Sequence, residues 1–338
     1  MLNFRWKQQD VALAPGERFS SAVPTSFTDA PAGVLQRLTE EIRTGVPWRE
    51  VVAREFAARD PWLSRIITSP ARDLFFRQFL PLTDQQVLDV GSGWGQQALA
   101  FAPRNSVCAV EPNPDKLDFL MAAAGQMKSS RRLYFVQADF LQLEFPPVFD
   151  VVTCVGVFEW AGAFTGEPDP QAAQAGFLRR ARLALKDGGR CIIGIENRLG
   201  LKYLLGVRDD HTGVAGISVL DYPLAKARWQ AKNGDDLRAI TYTLAEYKTL
   251  LRDAGFRQSE FFAAFPDYKL PQQIVPCEPG TAVDDFFLRG GFVPEHDGFD
   301  GTLLPPTRQE ELQSHYRSLA RLGVAARFAP SFFVVSSP

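Results

Sequence analysis

Three glycines at alternate positions, Gly91, Gly93 and Gly95, follow the apolar run VLDV, with Asp89 two residues ahead of the first. Glycine has no Cβ, tolerates positive φ and lets a ligand lie against bare backbone. In a parallel sheet, ligands sit in the crevice at the carboxyl ends of the strands. Two later strand ends carry acids as well. VCAVEP places Glu111 about twenty residues past Asp89, the offset at which a carboxylate accepts from ribose hydroxyls. LYFVQADF ends in Asp139 and Phe140. A carboxylate there suits an adenine amino group, and Phe140 with Pro112 and Asn113 offers a surface for the ring.

A second set of chemically capable residues follows the next two apolar runs. Glu159 and Trp160 come after FDVVTCVGV, Glu196 and Asn197 end RCIIGIEN, and Asp209, Asp210 and His211 share a polar loop. An imidazole titrates near neutral pH, and adjacent carboxylates can orient it. His211 is therefore the first candidate for acid–base work and Glu159 the second. Trp160, Asn197, Asp210 and Tyr268 are candidates for substrate contact. The plain alternatives are a solvated loop for His211 and core packing for Trp160 and Tyr268. Asp150 opens its strand and is expected to be structural. The run Asp209-Asp210-His211 crowds three potential ligands together in sequence, and no metal ion is expected.

These residues need elements to hold them. From residue 86 onward QVLDV, SVCAV, LYFVQ, DVVTCVGV and RCIIGI are short, β-branched apolar runs separated by helical stretches. That alternation indicates an α/β fold with a mostly parallel sheet buried on both faces. Between residues 32 and 80 the apolar spacing is helical, and Pro47, Pro61 and Pro70 cut it into short helices. The first 30 residues read as irregular. TLAEYKTLLRDAGF carries a capping box, Thr243 with Glu246, and a glycine stop at Gly255. SEFFAAF and QQIVPC are later strand candidates. The tail adds a polar glycine-rich loop, a helix near 308–322 and the strand PSFFVVSS, which could complete the chain's own sheet or pair with another copy. The expected organisation is a segment and helical cap over 1–84, an α/β core over 85–277 with an acceptor-site insertion at 197–240, and an extension over 278–338.

Composition narrows the partners. Lys+Arg of 37 against Asp+Glu of 39 gives a formal charge of −2, without the basic footprint that nucleic-acid binding requires. The cluster Arg179, Arg180 and Arg182 fits a solvated helix face. Four cysteines show no CxxC pair, and three lie in apolar runs, as reduced buried thiols do. No stretch reaches the roughly 18 apolar residues of a membrane span, and a reducing cytoplasm is the expected compartment.

The stretch DVGSGWG, followed by acids at Glu111 and Asp139, resembles the first motifs of class I S-adenosylmethionine-dependent methyltransferases, D-x-G-x-G-x-G. FDVVTCVGVFEW resembles their fourth motif and KDGGRCIIGIEN the approach to their fifth strand. The resemblance implies a Rossmann-like, seven-stranded, mostly parallel sheet with one antiparallel strand. It also implies S-adenosyl-L-methionine as donor, leaving S-adenosyl-L-homocysteine. Asp89, Gly91, Gly93, Trp94, Gly95, Glu111, Pro112, Asp139 and Phe140 would hold the donor. IENRLGLKYLLGVRDDHTG, FPDYKLPQQIVP and APSFFVVSS are similar to a bacterial group found with glycan-assembly genes, which implies a small or glycan-like hydroxylated acceptor and O-methylation. N- or C-methylation of a secondary metabolite, and a non-catalytic donor-binding subunit, are the alternatives. A nicotinamide-dependent oxidoreductase is disfavoured because G-x-G-x-x-G spacing is missing. Oligomeric state is open.

Overall fold

The computed structural model describes residues 1–23, 27–164, 167–278, 280–294 and 306–338, with backbone alone at 130, 306 and 307. The polar glycine-rich loop expected in the tail lies outside the described residues. The chain forms two compact units. One contains Met1–Val157, Gly176–Ile192 and Ser337–Pro338, and the other Phe158–Ala175 and Ile193–Ser336.

The first unit opens with a hairpin, β1 (Leu2–Trp6) and β2 (Gln9–Leu13), followed by β3 (Arg18–Ser20). This corrects the irregular start expected from sequence. The alternation Leu2-Phe4 inward and Asn3-Arg5 outward was present, but the turn is made by Lys7 and Gln8 at φ 45 and 68 instead of glycine or asparagine. Two-residue hairpin turns need such positive φ values, and sequence rules look for Asn-Gly there. The helices Val34–Arg43, Trp48–Phe56 and Pro61–Thr68 follow. Each proline named above sits at a helix start: Pro47 as N-cap, Pro61 and Pro70 in first turns. Proline lacks an N–H and has a helical φ, so it suits those positions.

Strands β4 (Gln86–Val90), β5 (Ser106–Val110), β6 (Leu133–Gln137), the short β7 (Leu143–Glu144) and β8 (Phe149–Val155) come next. β9 (Leu185–Glu196) begins in the first unit and ends in the second. The sheet order in the first unit is β9-β8-β4-β5-β6-β3. Pairs β4/β5, β4/β8, β5/β6 and β3/β6 are parallel. Val87, Leu88, Val107, Cys108, Val136 and Val152 are at most 1% exposed, as expected of strands covered on both faces. Asp150 accepts from Lys186 at 2.8 Å and from the Gln86 amide at 2.7 Å, a structural tie between strand starts.

In the second unit β10 (Gln258–Phe265), β11 (Gln273–Pro276) and β12 (Ser331–Ser337) form the order β11-β10-β12, with β12 beside β9. The tail strand thus has neighbours on both sides within its own chain. Helix Leu244–Asp253 carries the expected capping box in both directions. Residues 197–240 build helix Tyr222–Asn233 and a small apolar cluster of Val214, Ile217, Ala225 and Leu237, with Leu220, Tyr222 and Trp229 packed against it.

Candidate functional site

The glycine turn lies at the carboxyl end of β4. The amides of Gly91 and Ser92 donate to Val110 O at 2.8 and 3.0 Å, which locks the turn to β5. All three glycines have positive φ, at 66, 54 and 85. Their surroundings differ. A Cβ on Gly91 would stand 2.4 Å from Val157 Cγ2, and one on Gly95 2.4 Å from Leu120 Cδ1. Those two glycines admit protein side chains. At Gly93 the nearest atoms are Gln96 Oε1 at 3.3 Å and Gly91 O at 3.9 Å, so this position leaves the backbone open.

Glu111 ends β5 and is buried. Its Oε2 accepts the Gly93 amide and its Oε1 the Asn113 amide, both at 2.9 Å. Burial raises its pKa, offset by Lys116 and these amides. Each oxygen keeps a second lone pair for a hydroxyl donor. Asn113 also caps helix Pro114–Gln126, and Pro112 lies half-buried between them. Asp139 caps the turn after β6 through the Leu141 amide at 2.9 Å, and burial raises its pKa. Phe140 is 5% exposed and packs edge-on against Phe177.

Asp89 is the third acid of this group. Burial pushes it up to about 7 against the opposing hydrogen bond from Thr153, whose Oγ1 donates to Oδ1 at 2.8 Å. Its Oδ2 is buried without a hydrogen-bond partner, as are Ser92 Oγ and Gln97 Nε2. Buried polar atoms are nearly always paired, so three orphans around one turn mark a place where a polar ligand completes the bonding. Ser92, Gln97 and Thr153 were missed from sequence, because single uncharged polar residues carry no spacing signal. Trp94 was expected to contact the donor, and its side chain lies in the core. It is 1% exposed, packs edge-on against Phe56 and Phe119, and donates Nε1 to Asp29 at 3.0 Å. Asp29 in turn pairs with the buried Lys116 at 3.2 Å.

The second set of candidates gathers within the second unit. His211 Nε2 lies 3.7 Å from Glu159 Oε1 and 3.7 Å from Glu196 Oε2, and its Nδ1 lies 3.9 Å from Asp209 Oδ1. The side chains of His211, Glu159 and Glu196 are 5%, 2% and 1% exposed. Glu196 also receives Lys269 Nζ and, at 3.2 Å, the Tyr268 hydroxyl, both on Oε1. Asp210 accepts from Lys202 at 3.1 Å and Tyr203 at 3.0 Å, with Lys269 at 3.4 Å. Trp160 sets its ring 5.2 Å from that of His211.

The charges settle accordingly. Burial favours a neutral His211, but Glu196 first, then Asp209 and Glu159, overturn this and raise its pKa well above 6.5. Burial raises Glu159 against the pull of His211. Burial acts against the charge of Lys269, yet Glu196 and its other neighbours push its pKa well up. Asp209, despite burial, is held down to about 2 by His211, Ser218 and Thr212. An imidazole that keeps its proton is a poor base at neutral pH. Glu159, with a raised pKa and an Oε2 lacking any hydrogen-bond partner, has the available acceptor atom.

Two expected acceptor contacts are differently engaged. Asn197 is fully buried. Its Nδ2 donates to Arg327 O and Ala329 O at 2.9 and 2.8 Å, and its Oδ1 accepts the Leu199 amide. Tyr268 is fully buried and orients Glu196. Lys202, Tyr203 and Lys269 were missed, since lone basic and aromatic residues are indistinguishable in sequence from surface or core positions.

A parallel sheet with a glycine turn after one strand and an acid after the next defines a Rossmann-like α/β cofactor domain. Residues 88–193 match the family described as a methyltransferase domain. The match supports S-adenosyl-L-methionine as the cofactor, and the residues fit it: Asp89, Ser92 and Gln97 have unengaged polar atoms, and Gly93 leaves its backbone uncovered. The chain is 30% identical over 142 residues to a ubiquinone biosynthesis O-methyltransferase of Azotobacter vinelandii, covering 41% of this chain and 56% of that protein. It is 32% identical over 130 residues to a release factor glutamine methyltransferase of Rhodopirellula baltica, covering 32% and 44%. The chain thus spans about half the length of the curated relatives it matches. A Haemonchus contortus phosphoethanolamine N-methyltransferase 2, solved with phosphomonomethylethanolamine and S-adenosylhomocysteine, aligns at a TM-score of 0.45 and 14% identity over 86% of this chain and 60% of that one.

Proposed function

We propose that the protein transfers a methyl group from S-adenosyl-L-methionine to a small or glycan-like hydroxylated acceptor, with O-methylation as the reaction. The observation that carries this is the trio of orphaned polar atoms around an uncovered Gly93, inside a region matching a methyltransferase domain. When bound, the cofactor supplies a methyl group already activated on a sulfonium. The chain's task is then to align the acceptor and exclude water. In this reading Glu111 accepts from the ribose hydroxyls, Asp139 from the adenine amino group, and Asp89 orients the amino-acid portion. Phe140 and Pro112 flank the ring.

We assign acceptor binding to the second unit. Glu159 takes the acceptor hydroxyl's proton through its unengaged Oε2, while His211 stabilises the carboxylate and Trp160 supplies an apolar wall. A positioned base of this kind contributes roughly 10²–10⁴ in rate. The resemblance of IENRLGLKYLLGVRDDHTG, FPDYKLPQQIVP and APSFFVVSS to a bacterial group found with glycan-assembly genes supports the acceptor class. The ubiquinone O-methyltransferase relatives support oxygen as the methylated atom. Among the described residues no helix is long and apolar enough to cross a membrane. Four buried cysteines, none in a disulfide, suit a reducing cytoplasm.

Calorimetric titration with S-adenosyl-L-methionine, S-adenosyl-L-homocysteine and NAD⁺ tests the donor assignment. Micromolar binding of the first two, lost in Gly93→Arg and Glu111→Ala, is the expected result. Binding of NAD⁺ alone, or of none of the three, overturns it. On the acceptor side, Glu159→Gln should retain donor affinity and lose turnover.

A further inference from the structure

The geometry points to a divalent-cation site in the second unit, formed by Glu159, Glu196 and His211, whose open positions take oxygen atoms of the acceptor. The inference rests on the acceptor assignment above and adds to it a metal ion and a chelating acceptor chemistry, vicinal hydroxyls.

One ligand atom from each of the three side chains lies within 4.8 Å of the other two. The imidazole Nε2 stands 3.7 Å from a carboxylate oxygen on either side. These separations are too long for hydrogen bonds. They suit three atoms around a common ion. For sides of 3.7, 3.7 and at most 4.8 Å, the equidistant point is no more than about 2.4 Å from each atom, within reach of metal–ligand bonds. A hydrogen-bond account also leaves atoms over. Glu159 Oε2 and Glu196 Oε2 are both buried with no hydrogen-bond partner, an arrangement that normally costs free energy unless a ligand completes it.

The surroundings match the support that metal ligands receive. Lys269 and Tyr268 both engage Glu196 on Oε1, which leaves Oε2 facing His211. Asp209 lies beside the imidazole Nδ1, and is itself fixed by the amides of His211 and Thr212 and by Ser218 at 2.7 Å. A carboxylate behind a histidine, directing its other nitrogen forward, is the usual outer support of a ligating imidazole. Charge agrees too. Within ion-pair reach, Glu159, Glu196, Asp209 and Asp210 face Lys202 and Lys269. Metal binding displaces the imidazole proton, after which four carboxylates and two ammonium groups leave two net negative charges that a divalent ion cancels. Two carboxylates and one imidazole favour a first-row ion such as Mn²⁺ or Zn²⁺ over Ca²⁺. Three protein ligands leave positions for two adjacent acceptor hydroxyls.

The test is a titration of the full chain with Mn²⁺, followed by loss of the aquo-ion EPR signal. One saturable ion per chain is expected, bound at least about tenfold more weakly in Glu159→Gln and His211→Asn. Should either variant fail to fold by circular dichroism, electron spin-echo modulation on wild-type Mn²⁺ protein decides: nitrogen coupling from a bound imidazole is expected. Absence of saturable Mn²⁺ and Zn²⁺ binding overturns the site, as does binding unchanged in both variants. Donor titration of the same sample separates the two readings. Donor binding without metal binding refutes the inference alone. Metal binding without donor binding refutes the methyltransferase reading, and with it the acceptor's part in the inference.

Discussion

Gly93 and Gly95 are two residues apart in one turn, and the structure gives them different roles that alanine substitution separates. At Gly95 the φ is +85, and an added Cβ falls 2.4 Å from Leu120 Cδ1 and 3.3 Å from Leu99 Cγ. Leu120 is fully buried, so it cannot swing into solvent. A left-handed conformation costs a non-glycine residue about 1–2 kcal/mol, and forcing a methyl group into a packed core about 1–3 kcal/mol. Gly95→Ala should therefore lose about 2–5 kcal/mol. At Gly93 only the conformational part applies, because Gln96 Oε1 at 3.3 Å is the end of a flexible side chain. Gly93→Ala should lose about 1–2 kcal/mol. Donor affinity ranks the other way. A methyl group on Gly93 occupies the one uncovered backbone position, so S-adenosyl-L-methionine should bind at least about tenfold more weakly, or about 1.4 kcal/mol. Urea unfolding without ligand measures the first quantity and calorimetry at a temperature where both variants are folded the second. Equal stability of the two variants, or wild-type donor affinity in Gly93→Ala, would refute the division of roles.

Three further outcomes follow from the electrostatics and burial. Asp89 rises from 3.8 to about 7 in the fold, so the native state holds its proton more tightly than the unfolded chain. The associated stability, about 4 kcal/mol at 1.36 kcal/mol per pKa unit, is full below pH 4 and lost as pH rises through 7. Urea midpoints of the ligand-free protein should thus fall over that window, and Asp89→Asn should flatten the decline; an unchanged slope would refute the assignment. Lys269→Met removes the cation on Oε1 of Glu196, which is 1% exposed, and should destabilise the protein by about 3 kcal/mol in the same assay. A loss under 1 kcal/mol would mean that His211 alone compensates Glu196. None of the four cysteines is in a disulfide and all are buried, and burial pushes Cys277 up to about 12. An aromatic disulfide reagent should leave them unmodified in the native protein and titrate all four in urea.

Much of the donor-side architecture was legible in the chain. QVLDV, SVCAV and LYFVQ are continuous apolar runs because both faces of a parallel strand are covered, and each became a strand within a residue of its expected bounds. The prolines at 47, 61 and 70 marked helix starts for the reason their rings dictate. The Thr243–Glu246 capping box closed as its spacing requires. The amino-terminal hairpin was not legible, because Lys7 and Gln8 adopt positive φ without the usual turn residues. Local rules can only report local preferences, and tertiary packing of Phe4 against Phe19 and Phe145 overrode them.

Sequence by itself determined the glycine turn, the acids that follow three parallel strands and the α/β alternation that sets them at strand ends. Those are properties of neighbours along the chain, and backbone sterics and strand periodicity are enough to read them. The tertiary structure alone decided which glycines pack and which stays open, because that depends on where Val157 and Leu120 arrive. It turned Trp94 into the core and tied Asn197 to the backbone of residues 327 and 329. It also brought Glu159, Glu196, His211 and Lys269, from four separate segments, into one buried charge cluster. Charges in a low-dielectric interior take their properties from whichever groups surround them, and chain order does not specify that company.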